Sequence, residues 1–311
     1  SSMALVGEVN PGIGYFAFIG RALRLAHAND PNCSGDDESI EIVHDTSGIV
    51  GTHLSLALDT AGNPVMSYHN FTASALMLAH CNDPDCSGGD ESISTVDNSG
   101  DVGFDTALAL DAAGNPVISY LDTTNDALKV AHCNDPNCTG DDESIEFVAS
   151  NVEMHSRTSL ALDSAGNPVI SFFDTSNTSL TLIHCNDANC SGGDENIEIV
   201  DNAGLIGRFA RLALDTSGNP VIAYYHNNQS AVPLAHCNDP DCAGGDESIE
   251  VVDDGGGAIV GDYISLALAQ NGNPVISYHD LNNTQLKLAR CNDPDCSGGD
   301  ESIVVVDNSA D

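Results

Sequence analysis

The chain has 311 residues, 41% of them hydrophobic, and its 47 Asp plus Glu against 8 Lys plus Arg give a formal net charge of −39. Such a field repels nucleic acid and anionic bilayers and suits cations, basic partners or a salty, calcium-rich medium. No apolar run is long enough for membrane insertion, which needs roughly 18 residues, and the regularly spaced apolar segments exclude disorder as the meaning of the charge.

The elements recur along the chain. Ser2–Tyr15 is a degraded copy of a segment that returns at Ser55–Tyr68, Ala107–Tyr120, Ser159–Phe172, Arg211–Tyr224 and Ser265–Tyr278. The start-to-start spacings are 53, 52, 52, 52 and 54 residues. A fixed period near this length marks a propeller or a solenoid.

The second unit gives the pattern. Leu54–Asp59 is a short apolar run, Pro64–His69 alternates and is rich in β formers, and Ala75–His80 and Ile93–Val96 follow. Each run is bounded by Gly, Asn, Asp, Pro or Ser, as antiparallel strands are. Between the first two, Gly62 and Asn63 tolerate a positive φ and Pro64 sits where no ladder donor is needed. No apolar stripe of helical period is present.

Four strands per unit and six units predict an all-β fold, a six-bladed β-propeller of about 52 residues per repeat, forming one domain over 1–311. The blades are expected near 1–52, 53–104, 105–156, 157–208, 209–262 and 263–311. A β-solenoid is the rival, but its coils are shorter and carry no four-strand meander. The blade phase predicts that no strand is exchanged between the first and last units.

The cysteines form five C-x4-C pairs and one orphan. Disulfides are expected at Cys81–Cys86, Cys133–Cys138, Cys185–Cys190, Cys237–Cys242 and Cys291–Cys296. Cys33 is left free because Ala28 stands where its partner would be. This framework points to an oxidising compartment, so the protein is expected to be secreted or on the cell surface. No secretory leader is legible, and since such a segment is removed from mature exported chains its absence says little. A monomer is expected, with Cys33 open to intermolecular pairing. A zinc site using His80, Cys81 and Cys86 is the lesser reading, since it needs reduced thiolates and a fourth ligand.

The same segments are acidic. Asp83, Asp85, Asp90 and Glu91, with their equivalents in the other units, offer hard oxygen ligands that suit calcium as a cofactor. The spacing is not that of an EF-hand loop. A histidine ends the third strand in five units, at His27, His80, His132, His184 and His236. Equivalent places on different blades lie far apart, so a structural hydrogen bond is favoured over a metal ring.

In a four-strand meander, the first and third connections share one end of the blade and the other connections the opposite end. The first and third are nearly uniform from unit to unit, as every blade needs them to fold. A specific site must break that symmetry, so it is sought at the variable end. Just before the first strand, equivalent positions read His53, Asp105, Arg157, Phe209 and Tyr263. Thr52, Phe104, Ser156, Arg208 and Asp262 precede them. The second strand ends in His69, Leu121, Phe173, Tyr225 and His279, with His226 next to Tyr225. His, Asp, Arg and Tyr at a concave mouth form the constellation a ligand site needs.

No G-x-S-x-G, H-E-x-x-H or P-loop occurs. If the chain is an enzyme, Asp105, His53, Arg157 and Tyr263 are the acid, base and anchors, with Asp262 a second carboxylate for glycosidase chemistry. Otherwise it is a non-catalytic extracellular module presenting its variable face to a glycan or protein ligand, or a structural spacer. The repeat core, typified by Ser159-Leu-Ala-Leu-Asp-Ser-Ala-Gly-Asn-Pro-Val-Ile-Ser-Phe172, resembles repeats of bacterial secreted β-propellers, some loosely sialidase-like. The likeness spans nearly the whole chain and implies the fold. Sialidase Asp-boxes, S-x-D-x-G-x-x-W, are not matched in a chain without tryptophan. A sialidase sets three arginines around the substrate carboxylate and uses a tyrosine nucleophile; Arg157, Arg208 and Tyr263 are residues of those types, but no motif places them in those roles.

Overall fold

A computed structural model of the chain describes residues 1–6, 10–34, 38–140, 142–152 and 157–308. The fold is all-β, a six-bladed β-propeller in which every blade is a four-stranded antiparallel meander of consecutive strands. Among the described residues no strand is exchanged between blades, as the blade phase predicted. Among the described residues the one helical element is a 3-10 turn at Gly255–Gly257. The chain divides into two compact units, Ser1–Ser150 with blades one to three and Asn151–Asp311 with blades four to six.

Blade two is representative, with strands Val50–Leu58, Pro64–Asn70, Ala75–His80 and Ser92–Asp97. The second strand is buried throughout, while the outer strand is half-buried from Ser92 to Ser94, exposes Thr95 and ends in buried Val96 and Asp97. The hairpin between the first two strands closes as its sequence dictates. Asp59 accepts hydrogen bonds from the backbone N–H groups of Ala61 and Asn63 at 2.8 Å, and Gly62 takes φ +88°.

The first strands begin at Val50, Val102, Ile206 and Val260, each three residues ahead of the boundaries expected at 53, 105, 209 and 263. The boundary at 157 cannot be compared, since 153–156 lie outside the described residues. The physical reason is a β-bulge. The register shifts between Thr52 and Ser55 and at the matching places in blades three, five and six, so variable residues that read as loop lie inside the strand.

Successive blades pack through one repeated interface. Leu23, Leu25 and Val43 of blade one meet Val50, Met66 and Tyr68 of blade two. In the second unit Leu180, Leu182 and Val200 of blade four meet Ile206, Ile222 and Tyr224 of blade five. Glycine makes the approach close enough. A Cβ on Gly103, whose φ is +100°, would stand 2.8 Å from the Cα of Leu76. The inner strands are also tied side by side, for Ser55 Oγ accepts the Leu108 N–H at 3.1 Å and Ser159 Oγ the Leu212 N–H at 3.0 Å.

All five expected disulfides form and their ten cysteines are buried, and those of blades two, three, five and six pack into the apolar cluster shared with the preceding blade rather than merely clipping a surface turn. Cys33 is free and exposed.

The histidines that end the third strands are structural. Nε2 of His184 donates to Asp163 in its own blade's hairpin at 3.2 Å, and Nδ1 reaches Asp241 of the next blade at 2.7 Å. Burial pushes the Asp163 carboxyl up, but bonds from the Asn167 backbone and His184 outweigh it and hold it below the usual range. His80 makes the same contacts, to Asp59 at 3.2 Å and to Asn137 of the next blade at 2.9 Å. In blade six both partners change together, to Ala269 and Arg290.

The chain's two lysines occupy one equivalent position, in blades three and six. Lys129 Nζ lies 3.0 Å from Asp122 and 3.2 Å from Asp97, and the Tyr120 hydroxyl donates to Asp97 at 2.7 Å. Lys287 repeats this with Asp280 at 3.0 Å and Asp253 at 3.3 Å. Both lysines are thus consumed inside the fold.

Candidate functional site

The five residues expected to ring a channel mouth share one backbone device. His53, Asp105, Arg157, Phe209 and Tyr263 have φ of +50°, +46°, +53°, +56° and +56°. A left-handed backbone is uncommon outside glycine and costs on the order of 1–3 kcal/mol where it is enforced. The glycine two positions earlier in blades two, three, five and six, and the bulge itself, enforce it here. Each of these five positions therefore presents one side chain from a backbone of similar φ, and that side chain differs in each of blades two to six.

In the first unit the bulges of blades two and three meet. Nδ1 of His53 donates to Oδ1 of Asp105 at 2.8 Å. Asp105 is buried and His53 partly exposed. The His53 carbonyl accepts from Thr106 Oγ1 at 2.9 Å, and Ser67 donates to the same threonine at 2.9 Å, so the bulge is braced across the blade boundary.

Phe104 lies against this pair, with ring centroids 5.0 Å from His53 and 4.1 Å from His69. His69 is fully buried, with Nε2 3.4 Å from Oδ1 of Asp101. Burial pushes its imidazole down to about 4, with Asp101 opposing and His53 adding to the fall. His69 therefore serves the site by packing rather than by direct contact with solvent. Sequence reasoning missed Asp101, which sits in the connection ahead of the first strand and carries no repeat signal. It named Phe104 only as a neighbour.

In the second unit Arg157, Phe209 and Tyr263 of blades four, five and six converge. The Arg157 guanidinium lies 5.6 Å from the Phe209 ring and 5.1 Å from that of Tyr263, and the two rings are 5.8 Å apart. Tyr225 adds a ring 6.3 Å from Phe209. Tyr263 is 62% exposed, so a cation lies among aromatic faces at an open surface. Arg208 stands 5.4 Å over the Phe173 ring.

The remaining candidates divide. Asp262 lies directly across from His279 in the neighbouring strand, both half-buried. His226 is buried and its Nδ1 accepts the Gln229 N–H at 3.3 Å, so it closes the turn after the second strand. Ser156 lies outside the described residues.

The acidic turns use much of their oxygen on themselves. Asp83 accepts from the backbone of Asp85 at 2.9 Å and of Ser87 at 3.2 Å, and from Ser87 Oγ at 2.9 Å. Asp85 bonds His27 of the preceding blade. Glu91 accepts the Asn82 N–H at 3.1 Å, and burial, reinforced by Asp83 and Asp90, holds its carboxyl above the usual range despite that bond. Among the described residues no group of three or more His, Cys, Asp or Glu side chains is assembled to hold a metal. The Asp37 equivalent of Asp90 in the first blade lies outside them.

No family model matches the chain, and no curated protein matches it significantly. Likeness to solved structures is broad. A protein of unknown function from Dyadobacter fermentans has a TM-score of 0.54 at 10% identity, covering 90% of this chain and 89% of that one. The calcium-binding protein regucalcin from Agrobacterium tumefaciens gives 0.46 at 12% identity, covering 89% and 86%. An alpha-L-arabinofuranosidase from Lactobacillus brevis gives 0.45 at 10% identity, covering 88% and 91%. The neighbours thus include glycosidases and a protein without assigned function, and at such identities the likeness is one of fold.

Proposed function

We propose that the chain is a non-catalytic extracellular module that binds a glycan through the side chains carried on its inner-strand bulges. The observation that carries this reading is the diversification of one position. The backbone is the same at His53, Asp105, Arg157, Phe209 and Tyr263, yet no two of the five residues are alike. A position kept only for folding would repeat, as the hairpins and disulfide turns do. The exposed Tyr263 ring beside Phe209 and Arg157 supports a sugar ligand, whose C–H faces stack on aromatic rings while hydroxyls take charged donors and acceptors.

The five buried disulfides support an oxidising, extracellular setting. A bacterial secreted-propeller ancestry is part of the same proposal, resting on the repeat core. Calcium binding at the acidic turns, through Asp83, Asp85, Asp90, Glu91 and their equivalents, belongs to the same proposal.

A hydrolase is the second reading, favoured by the His53–Asp105 bond, which could orient an imidazole for general acid–base work. The test is a glycan array read in calcium and again in chelator, with product analysis of every bound sugar. Retention of intact glycan supports the module, and loss of it in chelator brings the turns into the site. Cleaved product would replace the module with the hydrolase. Silence in both conditions would sink the glycan reading and leave a protein ligand or a spacer.

A further inference from the structure

We infer that the sugar bound beside Arg157, Phe209 and Tyr263 is an acidic one, selected through a carboxylate set directly on its ring. The inference deepens the glycan reading and rests on it. All three residues belong to the second unit, and their contacts with one another lie within it.

Cations in this chain have carboxylates to spare, with 47 Asp plus Glu against 8 Lys plus Arg. Lys129 and Lys287 each lie against two of them. Arg157 takes none. Among the described residues its guanidinium has no ion pair and no hydrogen bond, and it lies instead 5.6 Å from the Phe209 ring and 5.1 Å from that of Tyr263. Aromatic rings hold a guanidinium by its charge and leave its N–H donors, which lie in its own plane, unsaturated. A carboxylate accepts two such donors side by side, in charge-assisted bonds roughly twice as strong as neutral ones.

The rings fix where that carboxylate must stand. Tyr263 is exposed and Phe209 half-buried, with the buried Tyr225 ring 6.3 Å from Phe209. A sugar whose C–H face stacks on Tyr263 therefore has the guanidinium at its edge. A carboxylate bonded to a ring carbon, as in a uronic acid, pairs with Arg157 while the sugar stays stacked. A hydroxymethyl group on the same carbon accepts one N–H and leaves the charge unanswered. The net charge of −39 disfavours anions at a distance, but repulsion between exposed charges is screened beyond about 8 Å at physiological salt. Inside that range the nearest guanidinium decides.

The test is an array of matched probes that differ only in the group on one ring carbon. They are glucuronate, glucose and glucose 6-sulfate, with the same three forms of galactose. The wild-type chain should bind at least one uronate about tenfold tighter than its neutral counterpart, and tighter than its sulfate. Arg157→Gln should bring that ratio close to one. Tyr263→Ala should weaken the uronate and the neutral sugar together, which leaves the ratio in place and separates stacking from charge. Neutral sugars bound as tightly as uronates by the wild type would overturn the inference and leave the glycan reading standing. A preference for the sulfates would overturn it too, as would a uronate preference that survives Arg157→Gln. Retention of no sugar at all, neutral or acidic, would sink the glycan reading and this inference with it.

Discussion

The Nδ1–H of His53 donates to Oδ1 of Asp105 across 2.8 Å, and both residues hold left-handed backbones. The bond joins the bulges of two successive inner strands, so backbone shape and side-chain chemistry are coupled there. Asn tolerates that backbone and a β-branched residue does not. Asp105→Asn should therefore keep the bulge, while Asp105→Val should be less stable than Asp105→Asn by roughly 2 kcal/mol. Chemical denaturation of the two variants reads the difference directly. Equal stabilities would mean that the bulge does not constrain this position.

Close approach between blades should make one glycine far less replaceable than another. Gly103 and Gly114 both have positive φ, at +100° and +88°, but a Cβ on Gly114 would meet nothing within 4 Å. Gly114→Ala is expected to cost about 1 kcal/mol for its backbone alone. Gly103→Ala adds a clash with the Leu76 backbone and should cost roughly 3 kcal/mol. Comparable losses in urea denaturation would argue against the tight interface.

Removing Lys129 strands two buried carboxylates. Lys129→Met should destabilise by about 3–5 kcal/mol, the usual penalty for breaking a buried ion pair on one side. Blade two shows the compensated alternative, with Met77 and Asn70 at the positions of Lys129 and Asp122. Adding Asp122→Asn to Lys129→Met should therefore restore much of the loss, and a double variant no better than the single one would contradict the pairing.

His69 couples stability to acid. Its folded imidazole sits near 4 because of burial, below the value of about 6.5 for an unfolded histidine, so the unfolded chain binds the extra proton first. Stability from this group is full above the unfolded value and falls as pH drops toward the folded one. Between pH 7 and pH 5 the loss amounts to roughly 2 kcal/mol. His69→Phe, with the residue that blade four carries there, should remove that part of the acid sensitivity. Denaturation at the two pH values measures it, and an unchanged slope would rule out His69 as its source.

The repeat made much of this legible in advance. Strand positions, blade number, the five disulfides and the hairpin turns each follow from local chemistry written five or six times over. Position in a repeat also singled out His53, Asp105, Arg157, Phe209 and Tyr263. Their conformation was not legible, because a bulge is a matter of register with a neighbouring strand. The recurring Val-Gly at Val50-Gly51, Val102-Gly103 and Val260-Gly261 was the signal that could have located it. The pairing of Lys129 with Asp97 joins residues of different blades, and no local pattern announces such a bond. Nor does the sequence announce that His226 Nδ1 accepts the Gln229 N–H, since a variable polar residue beside a turn looks the same whether or not it closes the turn.

The central claim is that the bulge-borne side chains form the ligand face, and the most direct measurement is array binding of three proteins side by side. They are the wild-type chain, Arg157→Ala combined with Tyr263→Ala, and His184→Ala as a control in the turns at the other end of the blades. The account predicts intact glycan retained by the wild type and the control, and binding weakened at least about tenfold in the bulge variant. Undiminished binding by the bulge variant, or loss confined to the control, would contradict it.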